Sequence, residues 1–270
     1  MKSNMWKSTL REIKQSLGRF MAILAIVALG VGLFSGLKVT QPAMIKTVNA
    51  YLTEKQFYDY RILSTLGFEQ EDVDYLAGQE GIRFAEGAVS FDILCSVPGG
   101  NEMALKTYSL PDHVNGIELL AGRMPENARE CLADSHVFSE ESIGQTLTFS
   151  ASNSEEDLEH FTETEYTIVG IVQSSVYIQF ERGNTSLGNG RLSGFLYLPQ
   201  ESYDTDYYTE ILVKFDTDYN IYSEAYDSFM EEKDASWEKI SEDAAYCHYD
   251  RIMTDAENEL ADAEKELSDG

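Results

Sequence analysis

The sequence predicts an α+β protein: an N-terminal amphipathic helix and one transmembrane helix, then a mixed α/β extracytoplasmic domain and the start of a coiled-coil helix. Three observations predict it. Phe20 to Leu37 is an uncharged apolar run, the middle of the chain alternates like short strands between Gly, Pro, Asn and Asp punctuation, and the end is rich in Ala, Glu, Asp and Lys. At 270 residues with 43% hydrophobic content the chain can bury a core.

The charge is strongly asymmetric. Residues 1–19 hold Lys2, Lys7, Arg11, Lys14 and Arg19 against Glu12 alone, so the remainder is more acidic than the formal charge of −27 for the whole chain. Such a surface repels phosphate backbones and makes nucleic acid an unfavourable partner. Trp6, Leu10, Ile13 and Leu17 recur at helical spacing among the bases, which predicts a cytoplasmic amphipathic helix over residues 1–19 lying on membrane lipid. The apolar run, residues 20–37, reaches roughly 27 Å as a helix, enough for the hydrocarbon core of a cell membrane. Its cationic N-terminal flank predicts a cytoplasmic N-terminus and an extracytoplasmic bulk. A cleaved export signal is the competing reading, but the run is long for a signal and "SGLKVTQPAM" offers no A-x-A site. Within the span Ala22, Ala25, Ala28, Gly32 and Ser35/Gly36 fall on one smooth face. Either that face (Ala25, Ala28, Gly32, Gly36) packs against other membrane helices, or it reflects how common small residues are in spans.

After the span, "KTVNAYLTEKQ" reads as helix, "FYDYRILS" as strand and "FEQEDVDYLAGQ" as an acidic helix stopped by Gly78. Strands are expected over 83–96, 102–108, 146–150, 166–180, 194–198 and 210–215. The domain is drawn as 38–250. Ile252, Ala256, Leu260, Ala263 and Leu267 then form a packing stripe, and 251–270 is taken as the start of a coiled coil.

Few residues suggest chemistry. No G-x-x-x-x-G-K-[ST] is present, so ATP hydrolysis is not expected on this chain, and "GNTSLGNG" reads as a loop. His113, His136, His160 and His248 are scattered without metal-ligand spacing, and "DSH" at 134–136 is only three adjacent residue types. No catalytic, metal or cofactor residues are assigned. Cys95 and Cys131 sit in apolar strand-like contexts, "FDILCSV" and "RECLADS", as buried small hydrophobes or as a bridge, and Cys247 completes an odd set.

"WKSTLREIKQSLGRFMAILAIVALGVGLFSGLK" resembles the N-terminus of FtsX-like ABC transporter permeases. "LLAGRMPENARECLAD", "IGQTLTF", "YTIVGIVQSSVYI" and "GFLYLP" are similar, in that order, to the MacB-like periplasmic core domain of those permeases. Gly122, Arg123, Pro125, Glu130, Gly144 and Gly170 carry the match. "ERGNTSLGNGRL" and the acidic ending resemble large variants interrupted by a coiled coil. The resemblance implies a permease subunit, in part or whole, for export or mechanotransmission. Its partners would be a separate cytoplasmic ABC ATPase subunit, further transmembrane helices or a second permease copy, and membrane lipid; it implies no cofactor on this chain. Since such permeases have several spans, the chain is expected to be the front of a longer one. Independently of family, Arg123 and Glu130 suit a pair across a turn shaped by Gly122 and Pro125, and Gly170 inside "TIVGIV" suits a bulge or close backbone approach. The alternative function is a single-pass membrane sensor or adhesion protein with a ligand-binding ectodomain. A membrane-anchored hydrolase would need a nucleophile that no motif marks.

Overall fold

The computed structural model describes residue 6, residues 11–97 and residues 102–269, apart from several side chains along the last helix. Nine residues of the amphipathic helix expected over 1–19 lie outside the described residues; of the rest, 11–15 are helical and 17–19 begin the next helix. The chain forms two compact units, residues 1–50 and 51–270. Helix α1, Leu17–Glu54, runs unbroken through Pro42 and contains the apolar run, which is long and apolar enough to cross a membrane. Its 38 residues measure roughly 57 Å at 1.5 Å each, about twice a hydrocarbon core. The helix thus continues past Leu37, and the separate helix expected over "KTVNAYLTEKQ" is its last part.

The second unit contains two sheets. The smaller is antiparallel in the order β1 (Tyr60–Phe68), β10 (Tyr208–Phe215), β2 (Ile82–Ala88). Every residue of β10 from Glu210 onward is buried, as a central strand covered on both faces requires. Ile211, Val213 and Phe215 face α2 (Gln70–Ala77) and the long helix α4 (Glu224–Asp269), meeting Val73, Leu76 and Trp237; the short α3 (Glu155–Glu159) lies between these two helices in sequence. Phe215 makes edge contacts with Trp237 and Phe229 at 5.3 and 5.5 Å. On the opposite face Leu212 packs with Ala88 and Val114. There Lys214 Nζ donates to Asp59 Oδ1 at 3.1 Å, while Asp59 also accepts from the Phe215 N–H and the Tyr226 hydroxyl.

The larger sheet closes into a barrel. Its strands are β3 (Ser90–Ser96), β4 (Glu102–Ser109), β6 (Glu130–Asp134), β7 (Thr146–Phe149), β8 (Glu165–Ser174) and β9 (Gly194–Leu198), joined around the ring as β8-β6-β9-β4-β3-β7-β8. β5 (Ile117–Gly122) lies beside the C-terminal half of β8, while β7 pairs with its N-terminal end. Alternate residues from the strands fill the interior: Ile93 and Cys95, Cys131 and Ala133, Leu147 and Phe149, Tyr166 and Ile168, Leu196 and Leu198. The mixed α/β architecture, with one long apolar helix and a sheet-rich domain, agrees with the expected class.

Several boundaries differ from the sequence reading, each for a local reason. The single strand expected over 83–96 is two strands, because the chain passes at Val89 from the small sheet to the barrel. Val89 donates to Ser109 Oγ and accepts from the Ser109 N–H there. The strand expected to reach Phe180 stops at Ser174, where the Tyr177 N–H returns to the Ser174 carbonyl. β5 was not expected, and β6 only as the strand-like context of Cys131. The last helix begins at Glu224, well before the expected start of a coiled coil; of its stripe Ile252 is half-buried and Ala256 and Leu260 are exposed, and the side chains of Ala263 and Leu267 lie outside the described residues. Finally, all three cysteines are free, Cys95 and Cys131 buried and Cys247 exposed. No bridge joins Cys95 to Cys131, whose thiols burial pushes well above the ordinary range.

Candidate functional site

The residues of the Gly-Arg-Pro-Glu segment converge on the middle of β8. Gly122 ends β5 directly opposite Gly170 of β8, and the Arg123 N–H donates to the Val169 carbonyl. Glu130 begins β6 opposite Thr167, and the Gly144 N–H donates to the Ile168 carbonyl. Four sequence-marked positions, Gly122, Arg123, Glu130 and Gly144, thus surround residues 167–170, which include the fifth, Gly170. The pairing of β8 with β6 skips Val169, a bulge that changes which residues face inward. Tyr166 and Ile168 point into the barrel before it and Ile171 after it, whereas Val169 and Val172 join an outer cluster with Leu132, Phe195 and Tyr197.

Arg123 and Glu130 lock the turn between β5 and β6. Arg123 Nη1 and Nη2 donate to the two Glu130 carboxylate oxygens at 2.6 and 2.7 Å, and Nη1 also reaches the Met124 carbonyl at 2.9 Å. The Glu126 N–H donates to the same carboxylate at 2.8 Å. Pro125 sits within this turn and, with Glu126, Asn127, Pro199 and Tyr208, lines an open groove. The Arg123 hydrogen bonds, followed by the Glu126 N–H, hold the Glu130 carboxyl down to about 2. A folded value below the ordinary carboxylate value of about 4.3 gives a contribution complete above that ordinary value and lost as pH falls through the folded one. Glu130→Gln should therefore lower the melting temperature at pH 7, and the difference from the parent should shrink progressively as thermal melts are taken from pH 5 toward pH 2. A gap independent of pH would contradict the lock.

A second constellation caps the barrel's outer side. Asp134, at the end of β6, accepts from Arg182 Nε at 2.6 Å and Nη2 at 3.0 Å, and both side chains are almost fully buried. The guanidinium lies over the rings of Tyr177 and Phe195, 5.1 and 5.6 Å from their centres, and those rings stack on each other. Asp134 Oδ1 also accepts the His136 N–H, so the "DSH" segment is a strand-end turn. His136 packs at a tilt against Phe180 instead of meeting a nucleophile. These residues border a depression of about 460 Å³ whose rim includes Gln173, Ile178 and Gln179.

The third cluster joins helices distant in sequence. Asp72 in the first turn of α2 accepts the Glu69 N–H at 2.9 Å and His248 Nδ1 pairs with it at 2.9 Å, while Arg251 binds both Asp72 and Glu69. Glu69, Asp72 and His248 lie close enough to share a cation, but the Arg251 guanidinium already occupies the two carboxylates. The cluster therefore reads as a clasp between α2 and α4. Of the other histidines, His113 stacks on Phe84 and His160 on Phe91. The helix-face residues Ala25, Ala28, Gly32 and Gly36 all lie on α1, and no atom comes within 4 Å of the Cβ position at Gly32 or Gly36.

The clasp, the Asp134–Arg182 pair and the Asp59–Lys214 pair join residues 48 to 182 positions apart, which no local motif announces. In each constellation the charged groups are consumed by partners within the domain. The arrangement fixes shape.

No family model matches the chain, and no curated protein matches it. Among solved structures it is similar to the extracellular domain of the ABC-type transporter YknZ from Gram-positive bacteria, with 12% identity over 61% of this chain and 84% of that one, at a TM-score of 0.38. It is also similar to the periplasmic region of MacB from Actinobacillus actinomycetemcomitans, with 17% identity over 64% of this chain and 75% of that one, at a TM-score of 0.34.

Proposed function

We propose that the chain is part of an ABC transporter permease, with its N-terminus in the cytoplasm and a MacB-like domain outside the membrane. In this reading a separate cytoplasmic ATPase moves α1, and the external domain carries that motion to a substrate or partner. The observation that supports it best is how the end of α1 is held. Leu52 in its last turn is buried. Immediately after it the Lys55 and Gln56 carbonyls accept the N–H groups of Gly116 and Asn115. Gly116 and Asn115 lead directly into β5, whose far end is the Arg123–Glu130 turn. These bonds tie the segment that follows the membrane run to the strand leading to that turn, which a transmission element requires and a tether does not. The sequence resemblance supplies the ATPase and the class of machine.

The test uses the full chain in native membranes. A membrane-impermeant maleimide should label the exposed Cys247 in intact cells, and crosslinking should recover an ABC ATPase with the chain. Labelling only after lysis would overturn the orientation. Crosslinked complexes without an ATPase would overturn the coupling and favour a sensor or adhesion protein.

A further inference from the structure

The depression beside Asp134 and Arg182 stands apart in this acidic chain because it holds no uncommitted carboxylate, ammonium or guanidinium. It measures about 460 Å³, within the roughly 300–1,000 Å³ of small-molecule sites. Its one carboxylate and one guanidinium bind each other at 2.6 and 3.0 Å, with both side chains nearly dry. In a chain with a formal charge of −27, such a lining favours a neutral ligand. An ion entering it would lose water without gaining a counter-charge.

The lining supplies neutral hydrogen-bonding groups instead. The side chains of Gln173 and Gln179 and the hydroxyls of Ser135 and Tyr51 border the depression, and none of them bonds another described residue. Each amide has donors and an acceptor, and each hydroxyl plays both roles. Beside them Ile178 is 54% exposed and Phe180 83%, so an apolar platform flanks the polar groups. The strand edges here are closed, since Gln173 pairs with Glu118 of β5 and Val172 with Asp134 of β6. An extended peptide would find no backbone edge to pair with. The lining comes from the barrel, its 173–182 segment and the last turn of α1, and no residue of α4 enters it.

We infer that this depression binds an uncharged saccharide, with its hydroxyl groups on Gln173, Gln179, Ser135 and Tyr51 and the C–H face of its ring against Phe180. Neighbouring sugar hydroxyls each donate and accept, which complements amide and hydroxyl side chains, while the ring hydrogens make one face apolar. The inference stands whether or not the membrane reading holds.

The test measures binding to the full chain at pH 7, in a detergent without a sugar headgroup, by saturation-transfer NMR and calorimetry. The probes are N-acetylglucosamine and cellobiose as neutral saccharides, glucuronate and glucosamine as charged ones, and N-acetyl-tetraalanine amide as a neutral peptide. At least one neutral saccharide should bind with a dissociation constant of about 1 mM or tighter, and the charged sugars and the peptide about tenfold more weakly or not at all. Gln173→Ala with Phe180→Ala should weaken saccharide binding about tenfold or more without moving the melting temperature, since both side chains are exposed. The inference is overturned if neither neutral saccharide binds that tightly, if a charged sugar or the peptide binds as well, or if the double variant binds the saccharide unchanged.

Discussion

Gly122→Ala is expected to lower the melting temperature of the full chain by roughly 10 °C, corresponding to a loss of about 3–5 kcal/mol. Two effects add. Gly122 has φ +82°, a conformation that an L side chain enters only under strain, and a Cβ there would overlap the Val169 carbonyl oxygen. The obstacle is the backbone of the neighbouring strand, so no rotamer change relieves it. Its opposite number, Gly170, meets the same wall from the other side: a Cβ would lie 2.7 Å from the Arg123 carbonyl oxygen and 2.8 Å from side-chain carbons of Leu119 and Leu132. Gly144→Ala is the control. Gly144 also has positive φ (+87°) but no atom within 4 Å of its Cβ position, so its cost should be the conformational one alone, about 1 kcal/mol. Thermal melts of the two variants separate the terms. Equal losses for Gly122→Ala and Gly144→Ala would show that strand β5 moves aside and that the paired glycines are not a steric requirement.

The legible parts of this fold were those in which one stretch of chain carries its own signal. The apolar run from Phe20 to Leu37 needs no tertiary context, and "FEQEDVDYLAGQ" has a polar start and a glycine stop that together delimit α2. β5 and β6 lacked such a signal. Leu119 and Leu120 are adjacent and both exposed, which breaks alternation, and β6 is five residues long, buried along Cys131–Asp134, with Asp134 itself inside. Alternation also misled: in "SVYIQF" the apolar residues Ile178 and Phe180 are exposed on a loop, while Tyr177 supports Arg182. At the site, the turn residues were readable because Gly122, Arg123, Pro125 and Glu130 lie within nine positions. Their convergence with Gly144 and Gly170 on β8 was not, since it depends on barrel closure and on a bulge. The ion pairs other than Arg123–Glu130 were unreadable for a different reason. With 47 acidic residues, nothing local distinguishes Asp72 or Asp134 from a solvated neighbour; what makes each special is a cation supplied from far along the chain.

Replacing Asp134 provides the second large effect. Asp134→Ala should destabilise the chain by about 3–5 kcal/mol, because it leaves the Arg182 guanidinium in a nearly dry site without its counter-charge. The exposures make the argument: 1% for the Asp134 side chain and 9% for Arg182, with two aromatic rings rather than water over the guanidinium. The Coulombic gain of the pair is not what the single substitution measures. Most of the loss is the desolvation that Arg182 still suffers after its partner is gone, so removing both charges should be milder than removing one. The double variant Asp134→Leu/Arg182→Met keeps apolar volume against Phe195 and Tyr177. It should recover at least half of the stability lost in Asp134→Ala, measured by thermal or denaturant melts. Asp134 also accepts the His136 N–H, and that bond is lost in both variants, so it cancels from the comparison. If the double variant is as unstable as the sum of the two single ones, the charges act independently. The Arg182 site would then be hydrated, and the 460 Å³ depression beside it would be part of the solvent-facing surface.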